Sequence, residues 1–134
     1  ADLQEQGFKG VATGTIFNGY FEGTMSKTPF WHNRIGILSE ASTIPLASPR
    51  FFPKSSLQGM GQDLPDYKMQ VNFLDPWPGG WWRLRDIIDY EEAATFSIAN
   101  FLAIHKKEIL LDFYRLNRKA IARGKTEPPL AYVV

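Results

Sequence analysis

An apolar stripe along the last third of the chain sets the strongest limit on its fold. Apolar side chains recur every three or four residues over 94–120, a spacing that places them on one face of an α-helix. Asp89 followed by Glu92 fits a capping box, so we predict a helix that begins there or one turn earlier. Gly124 is a natural stop. The polar residues 105–108 predict a bend that divides the helix in two.

The middle of the chain is too rich in proline for long regular structure. Six of the nine prolines lie over 43–78, and each one removes a backbone hydrogen-bond donor. Residues 67–73 are the exception, because apolar and polar side chains alternate there with the period of a half-exposed strand. Residues 48–64 are predicted to form a long loop. A short strand is expected over 11–15, before a glycine-punctuated loop.

A short apolar run, residues 35–38, leads directly to an acid. Its brevity and Gly36 favour a strand over 35–41 that is buried on both faces. A carboxylate at the tip of such a strand loses solvation, so it needs a partner, a metal or a chemical role. Ligands bind at the carboxyl ends of strands in open α/β sheets, which makes Glu40 the first candidate catalytic residue. A structural alternative stays open, in which the acid is paired with an arginine such as Arg34, Arg83 or Arg85.

Composition excludes several classes of function. The 134 residues have 44% hydrophobic and 22% charged side chains, which is typical of one globular domain. A net charge of +1 gives no support to nucleic acid or a membrane as the main partner. The absence of cysteine excludes a disulfide scaffold, a thiolate zinc site and a cysteine nucleophile. No serine-nucleophile elbow and no glycine-rich nucleotide motif is present.

The histidines and tryptophans allow more than one interpretation. His32 and His105 lack the spacing of metal ligands, and the apolar stripe around His105 favours a place at the edge of the core. His32, beside Trp31, either lines a pocket or bonds a loop carbonyl, and we favour the second. The tryptophans of residues 77–82 form either a stacking platform for sugars or peptides, or a tight turn that covers the adjoining helix, which we prefer.

Three segments together resemble one family. Residues 28–40, Thr-Pro-Phe-Trp-His-Asn-Arg-Ile-Gly-Ile-Leu-Ser-Glu, resemble the segment that delivers the catalytic glutamate in zinc metallocarboxypeptidases of the carboxypeptidase A type. The similarity is strongest to a group of large bacterial members. Residues 75–86, with their run of tryptophans, are similar to the stretch before the last helix in that group, and residues 118–124 continue the match. The resemblance covers residues 7–124.

The resemblance implies a carboxypeptidase-like α/β fold with a mixed sheet and a long C-terminal amphipathic helix. Residues 1–124 would be the C-terminal part of the catalytic domain, and residues 125–134 a linker and the start of a following segment. In the family, two histidines and a glutamate hold zinc, and an arginine clamps the substrate carboxylate; all lie upstream of this segment. Glu40 would take a proton from zinc-bound water and pass it to the leaving amine.

Three residues are expected near the substrate. The resemblance implies this role for Tyr20, on a loop that closes over the peptide, and Trp31 and His32 lie at the mouth of the predicted strand. The predicted function is therefore that of a fragment of a zinc-dependent hydrolase of C-terminal peptide or amide bonds. We expect the fragment alone to hold no zinc and to be inactive.

Two other outcomes stay open. One is a non-catalytic module that binds carbohydrate or peptide through Trp77, Trp81 and Trp82, and the other is a degenerate family member that kept the fold without catalysis. The expected partner of the hydrolase is a peptide substrate, with neither nucleic acid nor a membrane involved. An unpaired edge of the truncated sheet predicts self-association into a homo-oligomer. The compartment is not specified by the sequence.

Overall fold

The computed structural model combines helices with one small sheet. It describes residues 2–15, 17–19, 25–59, 64, 66–129 and 131. The helices are α1 (Asp2–Glu5), α2 (Thr28–Trp31), α3 (Leu84–Ile104) and α4 (Lys106–Thr126), and the strands are β1 (Arg50–Phe52) and β2 (Gly80–Trp82). Single 3₁₀ turns cover Pro45–Ala47 and Lys54–Ser56. This mixture of helix and strand is compatible with the predicted α/β class in its general sense.

The chain divides into two compact units. The first consists of Ala1–Gly19 and Ser39–Ala99, and the second of Tyr20–Leu38 and Asn100–Val134. The first unit contains α1, both strands and most of α3, while α2 and α4 belong to the second. No helix in the described ranges is both long and apolar enough to cross a membrane.

The sheet of the first unit is a short antiparallel pair in which Phe51 of β1 lies opposite Trp81 of β2. Gly79, just before β2, permits this close approach. Its φ is +91°, and a Cβ there would lie 2.6 Å from the carbonyl oxygen of Phe52. Only glycine adopts that backbone conformation without strain and leaves the required space.

Few apolar side chains are buried. Within the described residues they are Ile44, Leu64 and Phe73, and all three belong to the first unit. Aromatic rings pack edge to face beside this core, with centroids 4.8 to 6.3 Å apart, the arrangement favoured by their quadrupoles. We call these five rings the aromatic cluster; in order of contact they are Phe8, Tyr90, Trp82, Trp77 and Phe52.

The aromatic cluster bears on the two interpretations of the tryptophans of residues 77–82, a stacking platform or a turn that covers the adjoining helix. The ring of Trp82 contacts Tyr90 of α3, and the ring of Trp77 contacts Trp82 in turn. Both tryptophans are half-buried. The preferred interpretation is therefore confirmed in one respect, because Trp82 covers the adjoining helix, although it does so from β2 and not from a tight turn.

Helix α3 begins earlier than the capping-box pattern predicted. The carboxylate of Asp86 accepts a hydrogen bond of 2.7 Å from the backbone N–H of Arg83, which is half of a capping box that lies six residues before the predicted one at Asp89 and Glu92. Asp89 instead forms an ion pair with Arg85 on the surface of the first turns. The helix therefore starts at Leu84.

The predicted bend in the helical third is confirmed. Helix α3 ends at Ile104 and α4 begins at Lys106, with His105 between them. The Nδ1 atom of His105 lies 2.8 Å from a carboxylate oxygen of Glu108, and its half-buried ring packs on Phe101 with centroids 4.5 Å apart. These contacts also fit the predicted position at the edge of packed structure.

The predicted strand over 35–41 is wrong. None of its residues belongs to a strand, and the exposed fractions of Ile35, Ile37 and Leu38 are 57%, 49% and 41%. A strand needs a neighbour that accepts and donates its backbone hydrogen bonds. The described part of the chain offers this segment no such neighbour, because its only sheet is the pair β1 and β2.

The predicted strand over 67–73 is also wrong. Gln70 and Phe73 exchange both backbone hydrogen bonds, at 3.1 and 2.9 Å, and so close a tight turn. Val71 is consequently 95% exposed and Phe73 only 2%, although both lie at the odd positions that one strand face would share. Residues 11–15 are not assigned to a strand either, although Thr13 donates a backbone hydrogen bond of 2.8 Å to Asn72.

Candidate functional site

Glu40 lies in the first unit with its side chain exposed to solvent. Its carboxylate forms no hydrogen bond or ion pair with any other described residue. The arginines considered as its partners interact elsewhere. Arg85 pairs with Asp89, and the guanidinium groups of Arg34 and Arg83 lie over the rings of Phe113 and Trp81, each 5.5 Å from the centroid. The carboxylate is therefore accessible, and no described residue neutralises its charge.

The backbone around Glu40 is anchored on both sides. The hydroxyl of Ser39 donates a hydrogen bond of 2.8 Å to the carboxylate of Glu91 on α3. Beyond Glu40, the carbonyl of Ser42 accepts a hydrogen bond of 2.7 Å from the indole N–H of Trp82 on β2. These two hydrogen bonds hold the chain on either side of Glu40, while the carboxylate itself stays exposed to solvent.

The segment continues from these anchors into the core. Ile44 is only 6% exposed and fixes the end of the segment among buried side chains. The indole that holds Ser42 is itself half-buried in the aromatic cluster. Both anchors therefore depend on the packing of the first unit.

Nothing in the sequence marks the partners of Ser39 and Ser42. Their partners lie 52 and 40 residues further along the chain. A serine beside a candidate acid is a recognisable donor, but its acceptor is fixed only by the tertiary structure. These positioning contacts could not have been found by reading motifs.

Two of the three predicted substrate-binding residues lie within the described part of the chain. Tyr20 lies outside the described residues. Trp31 and His32 belong to the second unit, whereas Glu40 belongs to the first. The indole of Trp31, at the end of α2, is 65% exposed.

The ring of His32 is tied to its own helix. Its Nδ1 atom lies 2.8 Å from the carbonyl oxygen of Thr28. The preferred interpretation, a hydrogen bond to a backbone carbonyl, is therefore confirmed, although this carbonyl belongs to α2 and not to a loop. Because a carbonyl only accepts, Nδ1 carries the hydrogen. Nε2 is then the ring nitrogen that is left for a ligand.

The described residues do not fit the zinc ion that the resemblance implies. A protein zinc site needs three or four side-chain ligands, and no group of three or more histidine, aspartate or glutamate side chains in the described part could hold a metal ion. His32 and His105 bind Thr28 and Glu108 instead. No step of a reaction is therefore derived through a metal held by these residues.

One shallow cavity of about 190 Å³ opens on the first unit, between α1, residues 71–74 and Ser97. None of the predicted site residues lines it. Val71 on its rim is 95% exposed, so the cavity has little apolar enclosure. The cavity therefore adds no candidate site residue to Glu40.

The third tryptophan of the 77–82 run differs from the other two. Trp81 is 53% exposed and packs edge-on against Phe51, with centroids 5.7 Å apart. The guanidinium group of Arg83 covers its ring, in the geometry of a cation–π contact. The exposed platform thus consists of one tryptophan and one phenylalanine.

Two tyrosines have shifted ionisation for structural reasons. Burial raises the pKa of Tyr90, whose hydroxyl donates a hydrogen bond of 2.6 Å to the carbonyl of Lys9. Burial likewise raises the pKa of Tyr67, whose hydroxyl donates a hydrogen bond of 2.9 Å to the carbonyl of Trp77. Both hydroxyls therefore remain protonated at neutral pH and hold backbone segments together.

No protein-family model matches the chain, and neither a curated protein nor a solved structure does.

Proposed function

We propose that this chain is part of a zinc-dependent carboxypeptidase-like hydrolase, in which Glu40 acts as the general base. The observation that carries the proposal is the setting of Glu40, an exposed carboxylate that has no partner among the described residues and lies between two anchored serines. The contact between Ser42 and Trp82 also joins the neighbourhoods of two segments, residues 28–40 and 75–86, on which the family resemblance rests. Ser42 lies two residues after the first of these segments, and Trp82 lies within the second.

The chemistry proposed for Glu40 is a transfer of one proton in two steps. The carboxylate takes a proton from the attacking water as the water oxygen bonds to the carbonyl carbon of the substrate. It then gives that proton to the amine nitrogen as the carbon–nitrogen bond breaks, which regenerates the carboxylate. A positioned general base of this kind contributes about 10²- to 10⁴-fold to the rate.

The remaining parts of the proposal lie outside the described residues or in the second unit. The zinc ligands and the arginine that clamps the substrate carboxylate are assigned to polypeptide upstream of residue 1. Trp31 and His32 contact the substrate, with Nε2 of His32 as the ring atom available to it, and Tyr20 closes over the bound peptide.

The non-catalytic alternative receives less support. A sugar- or peptide-binding module that used Trp77, Trp81 and Trp82 together needs three accessible rings. Two of these rings pack into the aromatic cluster, and Trp81 alone is exposed. The non-catalytic binding module is therefore supported by one exposed tryptophan ring, whereas the hydrolase is supported by the accessible carboxylate of Glu40.

The test is an assay of the longer polypeptide that contains this segment. We expect it to release the C-terminal residue from an N-blocked dipeptide with a free carboxylate, but not from the same dipeptide amidated at its C-terminus. Zinc chelation should stop the reaction, and added zinc should restore it. Glu40→Gln should abolish turnover with zinc still bound.

A matched control separates the role of Glu40 from a general loss of charge. Glu5 is also an exposed glutamate, and Glu5→Gln removes the same charge from the first unit. This variant should keep full activity. Retained turnover in Glu40→Gln, or failure of the unsubstituted polypeptide to hydrolyse the free peptide, would overturn the proposal.

A further inference from the structure

One asparagine of the chain is followed directly by glycine. The sequence contains five asparagines, and only Asn18 has a glycine, Gly19, as its next residue. The other four are followed by arginine or phenylalanine. Glycine has no Cβ, so its backbone nitrogen is less crowded than that of any other residue. At this pair the backbone nitrogen therefore has the least hindered approach to the side-chain amide of the preceding residue.

The Asn18-Gly19 pair lies on the surface of the first unit and outside its regular structure. Both residues are exposed, and neither belongs to a helix or a strand. Chain neighbours excepted, no described residue has a heavy atom within 4 Å of the place that a Cβ on Gly19 would occupy. The surroundings of Gly19 therefore leave room for its backbone to rotate.

The backbone nitrogen of Gly19 also differs from its counterparts in its hydrogen bonds. Its N–H donates to no acceptor among the residues that the structure describes. The N–H groups that follow Asn33 and Asn72 donate instead to the carbonyls of Pro29 and Gln70, each at 2.9 Å. At those two positions an attack by the nitrogen has to break a backbone hydrogen bond.

The two helical asparagines are held in the same way. Asn100 lies inside α3 and Asn117 inside α4, where the N–H of the following residue donates to the carbonyl one turn earlier. The side-chain amide of Asn117 also donates a hydrogen bond of 2.8 Å to the carbonyl of Phe113. Sequence and structure therefore single out the same one of the five asparagines.

We infer that Asn18 is a site of spontaneous deamidation that proceeds through a succinimide ring. The nitrogen of Gly19 gives its proton to a base in solution and bonds to the side-chain carbonyl carbon of Asn18. The bond from that carbon to the side-chain amide nitrogen breaks, and the nitrogen takes up a proton and leaves as ammonia. Water then opens the ring. Its attack on the side-chain carbonyl gives aspartate at position 18, and its attack on the main-chain carbonyl gives isoaspartate.

The modification changes both the charge and the backbone of this segment. Either product has a carboxyl group that is ionised at neutral pH, so one added negative charge lowers the formal net charge of the chain from +1 to 0. Isoaspartate also routes the main chain through the former side chain, which lengthens the backbone by a carbon atom. Both changes fall two residues before Tyr20 in the sequence.

The test is prolonged incubation of the folded chain near neutral pH, followed by ion-exchange chromatography and by peptide mapping with mass spectrometry. We expect a more acidic species to accumulate, in which the peptide that contains position 18 has aspartate or isoaspartate there. Conversion at Asn18 should be at least about tenfold faster than at each of the other four asparagines. Its rate should rise with pH, because a base removes the proton from the attacking nitrogen.

Two glycine variants test the role of the attacking nitrogen. Gly19→Ala adds a Cβ beside that nitrogen and should slow conversion of Asn18 at least about fivefold. The φ of Gly19 is not positive and the space around the added carbon is open, so alanine fits there without strain. Gly124→Ala adds a Cβ at another open position and should leave the rate at Asn18 unchanged. Far-UV circular dichroism confirms that both variants keep their helices.

A third variant and the identity of the product complete the test. Asn18→Gln lengthens the side chain, so the same attack has to close a larger ring, and the early acidic species should disappear. Conversion that is equally fast at another asparagine, or that is undiminished in Gly19→Ala, would overturn the inference. A product with aspartate but no isoaspartate would also overturn it, because direct hydrolysis of the amide gives aspartate alone.

Discussion

Phe73 gives the most quantitative prediction about the packing of the first unit. It is 2% exposed, and its ring packs edge-on against Tyr67 with centroids 5.2 Å apart. Only two other apolar side chains, Ile44 and Leu64, are comparably buried in the described part. Truncation of Phe73 to alanine therefore removes much of the buried apolar volume of this unit.

The expected cost follows from the buried area. A buried phenylalanine removes on the order of 150 Å² from water, and at about 25 cal/mol per Å² this is worth roughly 4 kcal/mol. Alanine retains the Cβ and the core is small enough to relax around the gap. We therefore expect Phe73→Ala to lower the free energy of unfolding by about 3 kcal/mol, near the lower end for phenylalanine-to-alanine changes.

The assay is urea unfolding followed by tryptophan fluorescence. Trp77 and Trp82 lie in the same unit as Phe73 and report on its unfolding. With a denaturant dependence of about 1.5 kcal/mol per molar urea, the midpoint should fall by about 2 M.

A matched truncation serves as the control. Phe96, on α3 of the same unit, is 67% exposed, so Phe96→Ala should change the free energy of unfolding by less than about 0.5 kcal/mol. If both truncations shifted the midpoint equally, Phe73 would not be the buried centre of the unit, and the reasoning would be refuted.

Two further predictions concern the contacts around the candidate site and the buried tyrosines. Trp82→Phe keeps most of the ring contacts but leaves the carbonyl of Ser42 without its indole donor, at a cost of about 1 kcal/mol in the free energy of unfolding. Backbone hydrogen exchange over 39–44 should therefore be faster in this variant. In the control variant Trp81→Phe, which changes an exposed ring, the exchange rate should stay the same. Burial raises the pKa of Tyr67 and of Tyr90 above the usual 10.0, so these tyrosines ionise at lower pH in the unfolded chain than in the folded one. Their contribution to the free energy of unfolding should therefore be constant below pH 10 and decline as the pH rises further. Alkaline titration of the unfolding free energy checks this, and a decline that is equally steep after both tyrosines are changed to phenylalanine would assign the effect to other groups.

The helical third of the chain was predictable because its signal is local. The stripe over 94–120 and the polar residues 105–108 gave the two helices and the bend at His105. Helix α3 starts at Leu84, near the earlier of the two predicted starts, because the carboxylate of Asp86 and not that of Glu92 accepts the hydrogen bond from the backbone N–H before the helix.

The sheet was not predictable, because a strand depends on a neighbour that the sequence does not name. Residues 35–41 have the composition of a buried strand, yet no strand among the described residues pairs with them. The alternation over 67–73 was equally misleading, because a backbone turn between Gln70 and Phe73 separates side chains that a strand would keep together.

The candidate site was predictable only in part. Glu40 could be identified as an acid that follows an apolar run, and its exposed carboxylate keeps it a candidate. The reason given for it, the tip of a buried strand, was wrong. Its actual support comes from the hydrogen bonds of Ser39 and Ser42 to distant side chains.

The most direct measurement of the central claim is the kcat of Glu40→Gln, relative to that of the unsubstituted polypeptide, with bound zinc measured in the same samples. Loss of a positioned general base predicts that kcat falls by about 10²- to 10⁴-fold, while zinc content stays equal and Glu5→Gln retains full kcat. A Glu40→Gln polypeptide that kept both its zinc and a kcat within about twofold of the original would contradict the account.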